Sequence, residues 1–147
     1  MAKKTIGYTT GVFDLFHTGH LNILKKASEH CDYLIVGVTS DQTVFNYKKR
    51  YPMIPLEERI EIIKSIKYVD KTVVQNSMDK IKAYELYKFD KLFHGNDWKD
   101  SNMYNEIEKK LHNLGVDIIY FEYTKGTSTS ILKKHIYYEV KNEKENS

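Results

Sequence analysis

The sequence predicts an α/β protein of one domain, a five-stranded parallel sheet flanked by helices, and three observations carry that prediction. Strand-length runs of apolar and β-branched residues alternate along the chain with segments of helical periodicity. Tyr33-Leu34-Ile35-Val36-Gly37-Val38 is apolar on both faces, as a strand inside a parallel sheet is. Parallel neighbours need a crossover, and the helical segments between the runs supply it. At 147 residues the chain has the size of a single domain with a single core.

The elements follow in order. Thr5-Ile6-Gly7-Tyr8-Thr9-Thr10 reads as the first strand, and Leu21, Leu24, Lys25 and Ala27 recur at helical spacing up to about Ser28 or Glu29. The second strand spans Asp32 to Thr39, and Ser40 and Asp41 cap a short helix carrying Val44 and Phe45. Pro52 and Pro55 punctuate the next loop, and a helix runs from Leu56 to Ile66 with Glu57 and Glu58 at its start, where the dipole favours them. Tyr68 to Val74 is a third strand, Met78 to Tyr87 a helix, and Lys91 to His94 a short fourth strand. A helix over Asn102 to Leu114 stops at Gly115, and Val116 to Phe121 gives strand five. Ile131 to Ile136 opens a last helix; the domain is expected to cover 1–140, with 141–147 a polar, frayed tail.

Composition narrows the function. Lys and Arg number 23 against 20 Asp and Glu, a net charge of +3, and no basic stripe runs through the chain. Nucleic-acid binding wants such a stripe, so it is not expected, and Lys48-Lys49-Arg50 suits a small polyanion or a solvated loop. No stretch is apolar enough to insert in a membrane, and Met1-Ala2-Lys3-Lys4 leads into the first strand without a secretory apolar core. With the lone Cys31, this predicts a soluble, cytoplasmic protein.

Chemistry gathers where strands end. Gly11-Val12-Phe13-Asp14-Leu15-Phe16-His17-Thr18-Gly19-His20 joins strand one to helix one, placing two imidazoles and unpaired backbone N–H groups at one spot. Gly19 lets a phosphate approach the backbone without meeting a Cβ atom. In Rossmann-like sheets ligands bind beyond the carboxyl ends of the strands, where strand order reverses. That rule puts His17 and His20, Lys48 and Lys49, Gly95-Asn96-Asp97-Trp98 and the hydroxyl run Thr127-Ser128-Thr129-Ser130 on one rim. These groups donate hydrogen bonds and include no nucleophile, which suits phosphoryl or nucleotidyl transfer, where the attacking oxygen is already an anion of the substrate. GxSxG, a Walker A lysine and a dinucleotide GxGxxG are all missing, and neither Cys31 nor His94 has metal-ligand spacing with other side chains. His94, His112 and His135 read as surface or cap residues; Trp98 either closes a hydrophobic edge or enters the pocket.

The first motif resembles the GxFDxxHxGH signature of the cytidylyltransferases in the nucleotidyltransferase superfamily, and Tyr123-Thr124-Lys125-Gly126-Thr127-Ser128-Thr129-Ser130 resembles their RTEGISTT signature. Glu58-Arg59, Tyr68-Val69-Asp70 and Gly95-Asn96-Asp97-Trp98 are similar to bacterial glycerol-3-phosphate cytidylyltransferases, so the resemblance spans roughly residues 5 to 135. It implies transfer of CMP from CTP to a small phosphomonoester, glycerol 3-phosphate first among the acceptors, with Mg²⁺ held through the CTP phosphates and no protein metal site. Another polyol phosphate, phosphoethanolamine or phosphocholine stays open as the acceptor, as do adenylyl transfer and a catalytically silent nucleotide-binding regulator.

By the same resemblance His17 and His20 stabilise the α-phosphate, Lys49 or Lys48 neutralises phosphate charge, and Arg59 serves acceptor or pyrophosphate. Thr9, Thr10, Gly11, Val12, Phe13, Asp14 and Gly19 form the first nucleotide loop, Asp14 orienting a histidine or a metal-bound water. Gly95, Asn96, Asp97, Tyr123, Thr124, Gly126 and Thr127 complete the nucleotide contacts, Ser128 and Thr129 hold the β and γ phosphates, and Lys48, Arg59 and Trp98 face the acceptor. A homodimer through Lys64 to Val74 is implied as well. Departures from the signatures are Tyr123 for arginine, Lys125 for glutamate, Thr127 for isoleucine, and Lys67 where arginine is usual. Tyr123 could stack on a base but gives up a bidentate cation.

Overall fold

The computed structural model describes residues 3–95, 102–122 and 129–145. The strands are β1 (Ile6–Gly11), β2 (Tyr33–Thr39), β3 (Lys71–Gln75), β4 (Lys91–Gly95) and β5 (Asp117–Phe121). The helices are α1 (Thr18–Glu29), α2 (Asp41–Lys48), α3 (Leu56–Lys64), α4 (Lys80–Tyr87), α5 (Asn102–Asn113) and α6 (Thr129–Glu145). All strand pairs are parallel, in the order β3-β2-β1-β4-β5. The expected Rossmann-like sheet is therefore present. From β1 the chain builds outward through β2 and β3, then returns to lay β4 on the other side of β1. Strand order reverses between β1 and β4, and the crevice past their carboxyl ends is where such sheets bind ligands.

Burial on both faces explains the apolar strands. Leu34, Val36 and Val38 of β2 pack with Leu24 and Ala27 of α1 and Ile63 of α3, while Ile35 packs on the other face with Tyr8, Leu92 and Leu111. At Gly7 a Cβ would lie 2.6 Å from the Phe93 ring and 2.7 Å from Cys31 Sγ, so β1 passes too close to its neighbours for any side chain there.

Boundaries differ from the sequence reading where side chains replace backbone partners. The third strand begins at Lys71, not Tyr68, because the Asp70 carboxylate accepts the Leu34 amide at 2.8 Å and the ladder starts one residue later. Helix α4 begins at Lys80, since Asp79 accepts from the amides of Ile81 and Lys82 and so caps it. Helix α6 continues to Glu145, through part of the segment expected to fray.

Candidate functional site

The loop from β1 to α1 is built for a special geometry. Phe13 and Leu15 hold φ of 55° and 50°, left-handed values that non-glycine residues adopt at a cost and that concentrate at functional loops. His17 caps α1: its Nδ1 accepts the Gly19 amide at 3.0 Å, and His20 Nδ1 accepts the His17 amide at 3.2 Å. Both Nδ1 lone pairs are thereby engaged, so in each neutral ring the proton sits on Nε2. Burial lowers the pKa of His17, and burial followed by repulsion from His17 takes His20 down to about 4, against a smaller opposing pull from Asp14. The rings stack 4.0 Å apart as neutral donors.

Those donors point at one atom. The Thr129 hydroxyl oxygen, in the first turn of α6, lies 3.3 Å from His17 Nε2 and 3.5 Å from His20 Nε2. Its own hydrogen goes to the Asp14 carbonyl at 3.0 Å. Residues more than a hundred positions apart in the chain thus meet at the rim, as the two signatures require.

Asp14 is expected to orient a histidine or a metal-bound water, but its carboxylate has other partners within the fold. That carboxylate accepts the Met53 and Ile54 amides, each at 2.9 Å, and pairs with Lys133 Nζ at 2.9 Å. Burial pushes its pKa up, but the donors from Met53, Lys133 and Ile54 prevail and hold it below the usual range. Asp14 therefore ties the histidine loop, the loop before α3 and α6 together.

A cavity of about 320 Å³ opens at this node, and its wall includes the β1 terminus from Thr9 to Asp14, together with His20, Gly95 and Thr129. Lys48, Arg50 and Lys133 line it as well. Burial lowers the Lys48 pKa, helped by repulsion from Lys133 and Arg50 and countered by Asp14. Lys49 does not line the cavity. It ends α2 in the left-handed conformation at φ 60°, and its ammonium donates to the Asn46 carbonyl of the same helix at 3.0 Å. Of the pair, Lys48 is the one that lines the cavity.

Arg59 departs furthest from expectation. Its guanidinium is fully buried and donates to the carbonyls of Ile54, Val12 and Thr39 and to the Asp41 carboxylate. With four donor bonds made inside the fold, it is a strut beneath the site and has no surface to offer a ligand.

Three contributors escaped the sequence reading. Lys80 is nearly buried and donates from Nζ to Thr10 Oγ1 at 2.9 Å; burial lowers its pKa to about 8, against a smaller opposing effect of Asp79. A lysine in the first turn of a helix ordinarily reads as solvated, so no signal marked it. His94 lines the cavity instead of the surface, its pKa taken to about 3 by burial and then by Lys80. Lys133 stands one turn after Thr129, and that spacing could have found it, because residues four apart share a helix face. Thr9 donates to the Phe93 carbonyl at 3.1 Å, fixing the floor between β1 and β4. Asn96, Asp97, Trp98, Tyr123, Thr124, Gly126, Thr127 and Ser128 lie outside the described residues.

A rim of neutral donors and cations thus lies at the switch point of a parallel sheet, in a fold of the nucleotidyltransferase type. The cytidylyltransferase-like family model matches residues 8–142, and the chain belongs to that family. It is similar to glycerol-3-phosphate cytidylyltransferase of Staphylococcus aureus, 31% identical over 137 residues that cover 92% of this chain and 96% of that one. It is also similar to FAD synthase of Pyrococcus horikoshii, 39% identical over 112 residues, 74% of this chain and 72% of that one. Among solved structures, the lipopolysaccharide core biosynthesis protein of Thermoplasma volcanium superposes with a TM-score of 0.70 at 28% identity, covering 85% of this chain and all of that one. Among the described residues, no helix is long and apolar enough to cross a membrane.

Proposed function

We propose that the protein transfers CMP from CTP to a small phosphomonoester, with glycerol 3-phosphate the leading acceptor, giving a CDP-alcohol and pyrophosphate. The observation that carries this reading is the convergence of both Nε2–H donors on the Thr129 hydroxyl. A group that accepts two imidazole donors at the tip of a helix marks the place of an anionic oxygen. An oxygen of the acceptor phosphate attacks the α-phosphorus and forms the new P–O bond, while the bond from that phosphorus to the bridging oxygen of the β-phosphate breaks and pyrophosphate leaves. His17 and His20 donate to the charge growing on the α-phosphate, and Lys48, Arg50 and Lys133 offset the charge of the polyphosphate. Lys80 donates to the Thr10 hydroxyl, which lines the cavity, and so steadies that wall for the acceptor phosphate.

The Asp14 carboxylate is already engaged by two amides and Lys133, so Mg²⁺ would enter with the triphosphate, held by its oxygens, and would offset their charge. The reading includes a homodimer across the face around Lys64 to Val74, where Ile62 and Val74 are exposed apolar residues.

Pyrophosphate release from CTP over a panel of phosphomonoesters tests the proposal, with His17→Ala as the control. Turnover with glycerol 3-phosphate supports it; CTP binding with no turnover on any acceptor points to a regulator instead. Adenylyl transfer is the second reading, favoured by the similarity to FAD synthase, and preference for ATP over CTP in competition would establish it.

A further inference from the structure

A second concavity, of about 870 Å³, adjoins the cavity and shares Arg50, Tyr51 and Lys133 with it. One wall is the loop after α2, and the other is a single face of α6, where Lys133, Tyr137 and Lys141 repeat every fourth residue beside Lys134 and Tyr138. Four cations and three phenol rings line it, and of the cations Lys133 is paired with the Asp14 carboxylate of the adjoining cavity, leaving Arg50, Lys134 and Lys141 as the surplus charge. Tyr137 and Tyr138 are 72% and 62% exposed, large aromatic surfaces with little packing of their own. Tyr51 is held in place by stacking on Phe45, 4.6 Å between centroids, so it offers a fixed ring to the groove. Rings interleaved with lysines are the chemistry that takes planar bases and the phosphates attached to them.

We propose that this groove binds a second nucleotide, its base against Tyr137 and Tyr138 and its phosphates on Arg50 and Lys133. The choice of occupant rests on the transfer reading above. In an in-line displacement acceptor and leaving group lie on opposite sides of the phosphorus. On that reading Arg50 and Lys133 serve the triphosphate, so the groove that shares them lies on the polyphosphate side and is unsuited to the acceptor. A nucleotide there draws on Arg50 and Lys133, the cations that serve the substrate triphosphate, and therefore opposes CTP binding. The groove is in this sense an inhibitory site. Its charge selects an anion, and its rings select an aromatic one.

The test reads binding and is independent of turnover. The fluorescent nucleotide etheno-ADP is titrated into the full chain by anisotropy, for the native sequence and for Tyr137→Ser/Tyr138→Ser, with CTP affinity by calorimetry as the fold control. The expected result is etheno-ADP binding by the native chain that added CTP opposes and that weakens by tenfold or more in the double variant, with CTP affinity unchanged. Lys134→Gln/Lys141→Gln should weaken the same binding and reduce its salt dependence. No binding by the native chain, or identical titrations for both chains, overturns the proposal. So does a native dimer that the double variant dissociates in sedimentation, because a second copy would then cover this face. Absence of pyrophosphate release, by contrast, would count against the transfer reading and leave these titrations standing.

Discussion

At the scale of single residues, the two imidazoles and Thr129 carry the clearest expectation. His20→Ala should lower kcat by about 10²–10³, the usual effect of removing one preorganised donor to developing charge. Steady-state kinetics would measure it, and a change confined to KM would count against transition-state stabilisation. Lys48→Ala should raise the CTP or acceptor KM, whereas Lys49→Ala should leave both unchanged, since the Lys49 ammonium turns back onto Asn46. Lys80 adds a pH signature. Because its pKa is lowered to about 8, its charge fades as pH rises through that value, and the acceptor KM should climb there. Lys80→Met should show the high KM at every pH and no such limb. His17 and His20 were legible because two histidines beside a glycine at a strand end form a pattern. The choice between Lys48 and Lys49 was not, because it depends on which residue turns left-handed to end α2, and adjacent lysines look alike in sequence.

At the scale of elements, Arg59 sets how the pieces are joined. Its donors connect α3 to the histidine loop through Val12, to β2 through Thr39 and to α2 through Asp41. Arg59→Met should therefore cost about 3 kcal/mol of folding stability, by stranding buried carbonyls and removing the partner of Asp41, and thermal unfolding would measure it. A direct ligand role would instead impair kinetics at unchanged melting temperature. An arginine in the first turns of an amphipathic helix fits either role in sequence; only the coordinates of Val12 and Thr39, distant in the chain, decide it. Strand β2 was readable because it alternates its side chains between two buried faces, leaving a continuous apolar run, and Leu92 and Phe93 of β4 divide between the same two faces. Element ends were less so, since Asp70 and Asp79 use side-chain oxygens where the pattern suggested more strand or helix.

At the scale of the whole molecule, burying neutral imidazoles makes stability depend on pH. His20 and His94 take a proton in the fold only near pH 4 and 3, but near 6.5 when unfolded. Between those values the unfolded chain binds more protons, so this contribution is complete above pH 6.5 and is lost as pH falls toward 4. The slope should reach about 1.4 kcal/mol per pH unit for each imidazole, readable from urea midpoints across that range. The architecture was legible from alternation, and the switch-point rule put the hydroxyl run on the histidine rim; that Thr129 is the hydroxyl within reach of both rings depends on packing that no local pattern encodes. That partnership has a consequence for fidelity toward solvent. With Nδ1 of each ring occupied by an amide and Nε2 carrying hydrogen, neither imidazole can take a proton from water. A water molecule reaching the α-phosphorus would find no base to make it a nucleophile, so CTP left without a phosphomonoester should outlast many catalytic cycles intact.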